Sequence, residues 1–182
     1  DQEGHGGHDH TGDHDPHAWL DPQNAMSWLH VIAWKLSEID PENATTYAEN
    51  AAEARGVLKA LVGEIEVVLA PARGKPFFVF HDAFHYFEHR FDIEAIGAVS
   101  AGDAAGPGAA RLTQIRDHLK ETGTACVFTE PQLGTSVLGA ITEGSDTRIG
   151  VLDPLGADAE PGPDLYPHLL MRLATVMAEC LE

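Results

Sequence analysis

From residue 77 onward, short apolar runs alternate with helical segments, and this alternation restricts the possible folds more than any other feature. The apolar runs predict strands at 77–80, 93–99, 125–129 and 148–152, and the remaining segments predict helices at 83–91, 109–121, 134–143 and 165–181. Repeated strand–helix units form parallel sheets with right-handed crossovers and helices on both faces. We therefore predict an α/β fold with a four-stranded parallel sheet and flanking helices. Four strands are few for a complete doubly wound domain, so this part is expected to be one lobe of a two-lobed protein.

Two helices are predicted before the sheet. Asp21 caps the first, with Pro22 in its first turn, and that helix ends at about Ile39. Asp40 and Pro41 then start a second helix over 42–69, about 42 Å long, which suits a spine joining two lobes. The first helix has apolar residues at intervals of three and four, as in an amphipathic helix. They are Ala25, Trp28, Leu29, Ile32, Ala33 and Leu36.

The net charge excludes one large class of function. The chain has 29 acidic and 11 basic side chains, and its formal net charge is -18. Such a surface repels phosphates, so no nucleic-acid partner is expected, whereas small cations would be attracted. No apolar run is long enough to span a membrane, and the chain opens inside a low-complexity tract. We expect that a signal peptide has been removed and that the chain is a piece of a longer protein.

The cysteine content leaves two interpretations open. Cys126 and Cys180 are the two cysteines, and neither belongs to a Cys-x-x-Cys pair, so a zinc–thiolate site is not expected. They form one disulfide bond or remain two unrelated buried thiols, and composition does not decide between these.

Two potential metal ligands directly follow predicted strands. His81 comes after the strand 77–80, and Asp153 comes after the strand 148–152. Ligands in parallel sheets gather beyond the carboxyl ends of the strands, so both side chains are expected at the same edge. Taken singly, His81 is equally well explained as a buried imidazole, and Asp153 as a turn residue. Their shared placement favours a metal site.

His17 is a third candidate ligand. It lies between Asp15-Pro16 and the helix that Asp21 caps, and either Asp21 or a backbone carbonyl could orient its ring. The alternative is an ordinary loop histidine at the start of a helix.

Other histidines form two further groups. Residues 1–15 are rich in His, Asp and Gly without apolar periodicity, which predicts a flexible metal-binding loop containing His5, His8, His10 and His14. His85 and His89 follow His81 at intervals of four and could form a competing cluster on a helix. Aromatic residues already occupy that short helix, so these two are interpreted as partly exposed helix positions.

Four motifs occur in one order: Asp15-Pro16-His17-Ala18-Trp19, Phe78-Val79-Phe80-His81-Asp82-Ala83-Phe84, Phe128-Thr129-Glu130-Pro131-Gln132 and Leu152-Asp153-Pro154-Leu155-Gly156. Together they resemble the C-terminal portion of the periplasmic zinc-binding solute-binding proteins of bacterial ABC-type zinc importers, in the zinc/manganese metal-receptor family. The resemblance implies one lobe of a two-lobed metal receptor, with Zn2+ bound by His17, His81 and Asp153. It also implies a disulfide bond between Cys126 and Cys180.

The same resemblance implies a division of the chain. Residues 1–15 would be part of a His/Asp-rich metal-binding loop, 16–40 the end of the N-terminal lobe, 41–70 the long bridging helix, and 71–182 the C-terminal α/β lobe. The family's first histidine ligand lies in an N-terminal lobe that this chain does not contain, so the fourth donor is unassigned. Manganese-specific relatives have a carboxylate where His81 stands, and an imidazole there suits zinc better.

The function implied is high-affinity capture of zinc in the periplasm and its delivery to the membrane permease of an ABC importer, without catalysis. A periplasmic zinc chaperone is a further candidate partner. One alternative is a zinc-dependent hydrolase, for which Glu130 is the candidate general base. Another is a manganese-binding or adhesin-type relative with the same fold.

Overall fold

The computed structural model of the 182-residue chain describes residues 15–100, 108–132 and 136–182. Helix α1 spans Pro22–Ile39 and begins as predicted, because the Asp21 carboxylate accepts a hydrogen bond from the backbone N–H of Gln23. A short 3-10 turn follows, and α2 then spans Ala44–Leu69, 26 residues or about 39 Å. None of the helices in the described ranges is long and apolar enough to cross a membrane.

The remainder of the chain forms the predicted α/β unit. Its elements are β1 Phe77–Val79, α3 His85–Phe91, β2 Gly97–Ala98, α4 Ala109–Thr122, β3 Cys126–Thr129, α5 Ser136–Thr142, β4 Arg148–Val151 and α6 Leu165–Leu181. All four strands are parallel, in the order β2-β1-β3-β4. The predicted fold class is therefore confirmed.

Strand β2 is shorter than the predicted strand 93–99, because its first residues bond elsewhere. The backbone N–H groups of Ile93 and Ala95 donate to the backbone carbonyl and the carboxylate of Glu88 on α3. Only from Ile96 onward do the N–H groups turn toward β1. Ile93, Ala95 and Val99 are buried, but the backbone N–H groups of the first two bond to the preceding helix.

Alternate residues of the central strands enter two apolar cores. Phe77 and Val79 of β1 belong to a core that includes residues of α2, α3 and α6, whereas Phe78 belongs to a core with residues of α4 and α5. A disulfide bond between Cys126 of β3 and Cys180 of α6 links these two elements within the first core. The disulfide bond that the resemblance implied is thus confirmed.

The largest residues on the apolar face of α1 are not buried. Trp28, Ile32 and Leu36 are 44%, 53% and 39% exposed, whereas Ala33 is buried. They line an open groove of about 890 Å³ between α1, α2 and the start of α6. We refer to this feature as the α1–α2 groove.

Candidate metal centre

His81 is held by a carboxylate from the neighbouring strand. It lies two residues beyond the end of β1, and Glu130 directly follows β3, which pairs with β1. The Nδ1 atom of His81 is in close hydrogen-bonding contact with Oε1 of Glu130, and their side chains are 11% and 6% exposed. Because an ionised carboxylate only accepts, this contact orients the imidazole with its proton on Nδ1.

Glu130 was interpreted from the sequence as a general base for the hydrolase alternative, and its contact with His81 was missed. The available signal was its position directly after a buried strand, the same signal that selected His81 and Asp153. The sequence did not reveal that β3 lies beside β1.

His17 is oriented in the same way, by a different carboxylate from the one expected. The Oδ1 atom of Asp15 accepts from the backbone N–H of His17 at 2.9 Å and from its Nδ1 at 2.8 Å. Asp21, one of the two predicted partners, instead caps α1 and forms a two-point ion pair with Arg90, with both N–O distances 2.8 Å. That ion pair links the start of α1 to α3, and the His17 ring is bound by Asp15 instead.

The two imidazoles lie side by side. The ring centroids of His17 and His81 are 5.3 Å apart, and their planes are inclined at 60°. His17 and His81 are 64 residues apart in the sequence, and the Nδ1 atom of each ring is hydrogen-bonded to a carboxylate. Metal ligation by either ring would therefore use Nε2.

Asp153 occupies a turn in this structure. Its two carboxylate oxygens accept from the backbone N–H groups of Leu155, at 3.0 Å, and Ala157, at 2.5 Å. Gly156, with a φ of +68°, supplies the left-handed backbone conformation within the same turn. Within the described ranges, no group of three or more His, Cys, Asp or Glu residues is arranged to hold a metal ion. Asp153 as a ligand remains a prediction.

The turn nevertheless lies beside the His17 segment. The indole N–H of Trp19 donates to the backbone carbonyl of Pro154 at 2.9 Å. The three predicted ligand segments therefore converge on one region, even though the three side chains do not form a ready metal site.

The other histidine predictions have different outcomes. His85 and His89 are exposed on α3, as interpreted from the sequence, and line a separate cavity of about 650 Å³. The tract histidines His5, His8, His10 and His14 lie outside the described residues.

Comparisons with known proteins identify the family of this chain. The family model for the zinc-uptake complex component A, periplasmic, matches residues 1–180. The high-affinity zinc uptake system protein ZnuA of Paracoccus denitrificans is 48% identical over 168 residues, which is 92% of this chain and 52% of that protein. The chain thus spans about half the length of the curated relatives it matches.

Solved structures share the fold. A crystal structure of ZnuA has a TM-score of 0.80 at 30% identity, covering 92% of this chain and 60% of that one. The laminin-binding protein Lbp of Streptococcus pyogenes has a TM-score of 0.77 at 28% identity, covering 92% of this chain and 65% of that one. The family resemblance inferred from the four motifs is thereby confirmed.

Proposed function

Because this chain belongs to the ZnuA family of periplasmic zinc-uptake components, we propose that it serves in high-affinity capture of zinc in the periplasm and in its delivery to an ABC-type membrane importer. His17, His81 and Asp153 are the proposed zinc ligands. A tetrahedral site needs a fourth donor, which a further protein group or a water molecule would supply. The role is capture without catalysis.

The spacing of the two imidazoles is the observation that carries this proposal. Two imidazoles on one zinc, with Zn–N bonds of about 2.1 Å, nitrogen roughly 1.2 Å from each ring centre and a tetrahedral angle, have centroids about 5 Å apart. The centroids of His17 and His81 are 5.3 Å apart. The observed ring spacing therefore matches the spacing that two imidazoles on one zinc ion require.

The carboxylates behind the rings strengthen the case for zinc. Imidazoles that bind zinc commonly donate their other N–H to a carboxylate, which fixes the tautomer and raises the basicity of the ligand. Asp15 and Glu130 occupy those positions for His17 and His81. Two nitrogen donors also favour zinc over manganese, which prefers oxygen.

Asp153 offers a means of releasing the metal. In the described residues this carboxylate is not arranged with other donors to hold a metal ion, so binding zinc would require it to turn. Turning would weaken its bonds to the two backbone N–H groups. The net gain from the third ligand is then smaller than for a carboxylate with no other partner. A delivery protein needs such a ligand, because the metal must leave when the protein docks on its importer.

The candidate base of the hydrolase alternative is already engaged in another contact. Glu130, its candidate, is buried and already paired with His81. Incubation with generic ester and peptide substrates tests this alternative, and zinc-dependent turnover that Glu130→Gln abolishes even at saturating zinc would favour it. The adhesin alternative draws on the shared fold alone and is tested by binding to immobilised laminin.

Zinc binding is tested on the full 182-residue chain with His5, His8, His10 and His14 replaced by alanine, so that the tract contributes no imidazole. Competition titration with a chromogenic chelator should give one zinc equivalent, which His17→Ala and His81→Ala should each weaken at least tenfold. His30→Ala, on the exposed side of α1, is the matched control. Unchanged zinc affinity in His81→Ala would refute the proposed site.

Zinc delivery needs its own measurement. The zinc-loaded chain is added to vesicles containing the importer, and zinc accumulation inside them is followed with a fluorescent indicator. Uptake no faster than with free zinc at the same activity would refute delivery by this chain while leaving capture intact.

A further inference from the structure

Trp19 connects the loop of His17 with the turn of Asp153. Its indole N–H donates to the carbonyl of Pro154, and its own backbone carbonyl accepts from the Tyr166 hydroxyl at 2.6 Å. Its ring centroid lies 5.3 Å from that of His17. Trp19 is therefore hydrogen-bonded to two segments that are distant in the sequence.

The Tyr166 hydroxyl on α6 remains a hydrogen-bond donor over a wide pH range. Burial, followed by the charge of Asp21, raises the pKa of Tyr166, so its hydroxyl keeps its proton throughout the ordinary pH range. The backbone on the other side of Trp19 is also fixed, because the carbonyl of Ala18 accepts from the side-chain amide of Asn24 at 3.1 Å. The indole is thus presented to Pro154 from a well-anchored loop.

The carbonyl of Pro154 is bound by a residue outside its turn, whereas the Asp153 carboxylate binds backbone groups within the turn. Proline has no backbone N–H, so its carbonyl is its only polar backbone group, and Trp19 binds it. The inner bonds run from Leu155 and Ala157 to the Asp153 carboxylate. They would weaken if that carboxylate turned toward a metal, whereas the outer bond does not involve the carboxylate and would be kept.

We propose that Trp19 is a positioning residue for the zinc site, whose hydrogen bond to Pro154 keeps the Asp153 turn beside His17 while the carboxylate exchanges backbone N–H groups for zinc. This inference rests on the proposed function. Trp19 does not touch the metal and acts through Asp153.

The test is a double-mutant cycle in the full chain with the four tract histidines replaced. Trp19→Phe removes the indole N–H and keeps an aromatic ring, and Trp34→Phe, at an exposed position of α1, is the matched control. Zinc dissociation constants are measured for these variants alone and combined with Asp153→Asn. Cobalt(II) absorption spectra of the same set report the metal's coordination directly.

We expect Trp19→Phe to raise the zinc dissociation constant about five- to tenfold, as loss of one hydrogen bond would, and Trp34→Phe to leave it unchanged. In the Asp153→Asn background, Trp19→Phe should not change the zinc dissociation constant further. The cobalt spectrum of the Trp19→Phe single variant should approach that of Asp153→Asn. A merely structural role would lower affinity equally in both backgrounds and would overturn the inference, as would wild-type affinity in Trp19→Phe.

Two further variants distinguish failure of this inference from failure of the proposed function. If Trp19→Phe does not fold, as judged by far-UV circular dichroism, Tyr166→Phe removes one hydrogen bond from Trp19 without altering its ring. Its loss of affinity should likewise vanish in Asp153→Asn, and a loss of equal size in both backgrounds overturns the inference. His81→Ala is run beside them, because unchanged zinc binding in that variant would overturn the proposed function together with this inference. A loss in His81→Ala but not in Trp19→Phe overturns the inference alone.

Discussion

Glu88 on α3 has its carboxyl group in surroundings that disfavour a negative charge. The residue is 4% exposed; its Oε2 accepts from the backbone N–H of Ala95 at 3.2 Å, and its Oε1 is buried without a hydrogen-bond partner. Burial raises the pKa of Glu88 from 4.5 to about 7, helped by the charges of Asp82 and Glu94 and opposed by the Ala95 N–H. The protonated form is therefore favoured in the folded protein.

The sign of the resulting pH dependence follows from proton counting. Between pH 4.5 and about 7, the folded chain holds a proton on Glu88 that the unfolded chain has lost. Stability therefore falls as the pH rises through this window, and the whole loss is present above it. At about 1.36 kcal/mol for each pKa unit, the difference corresponds to roughly 3 kcal/mol of unfolding free energy.

Glu88→Gln tests this value because the amide has the carboxyl group's shape and does not titrate. Its oxygen can still accept from the Ala95 N–H. Urea unfolding followed by far-UV circular dichroism is measured at about pH 4 and about pH 8, below and above the titration window. The loss of unfolding free energy between the two should be smaller in Glu88→Gln by roughly 3 kcal/mol.

Glu66→Gln, at an exposed position of α2, is the matched control and should retain the wild-type pH dependence. Comparison with it removes the contribution of other titrating groups. If Glu88→Gln also retains that dependence, Glu88 is ionised in the folded protein and its buried oxygen has a compensating partner. The reasoning from burial would then be refuted.

Three further perturbations have definite expected outcomes. Glu130→Gln should lower zinc affinity about 10- to 100-fold by removing the carboxylate behind His81; a competition titration giving wild-type affinity would contradict this. Replacing Cys126 and Cys180 by serine should lower the unfolding free energy by up to about 4 kcal/mol, since the bond closes a long loop; an unchanged urea midpoint would contradict it. Gly150→Ala should cost about 1–3 kcal/mol, because a Cβ there would lie 2.6 Å from an aromatic ring of β3; an unchanged Tm would contradict it.

The sequence predicted the elements well where backbone and side chains follow the same pattern. Helix α1 is capped by Asp21 and ends at Ile39 as predicted, and α6 matches its predicted range. The strand predicted at 93–99 was too long because apolar periodicity reports burial of side chains only. The N–H groups of Ile93 and Ala95 bond to Glu88, and no periodicity of apolar residues indicates that.

The apolar face of α1 shows a limit of what apolar periodicity can predict. The pattern identified the apolar side of the helix correctly, since Trp28, Ile32 and Leu36 all line the α1–α2 groove. Periodicity identifies a face that avoids water but does not specify what covers it. The exposure of these residues in the α1–α2 groove is therefore consistent with the amphipathic pattern of the helix.

The order of the strands explains why the candidate site was predicted only in part. His81, Glu130 and Asp153 all follow strands, so the sequence alone treats both acids as equally close to the imidazole. Neighbouring strands lie about 4.8 Å apart, and the order β1-β3-β4 puts Glu130 one spacing from His81 and Asp153 two spacings away. Glu130 can therefore hold the ring directly, whereas Asp153 reaches the same region only through its own turn. If Asp153 binds the metal as proposed, it therefore does so from a turn whose backbone N–H groups its carboxylate already binds.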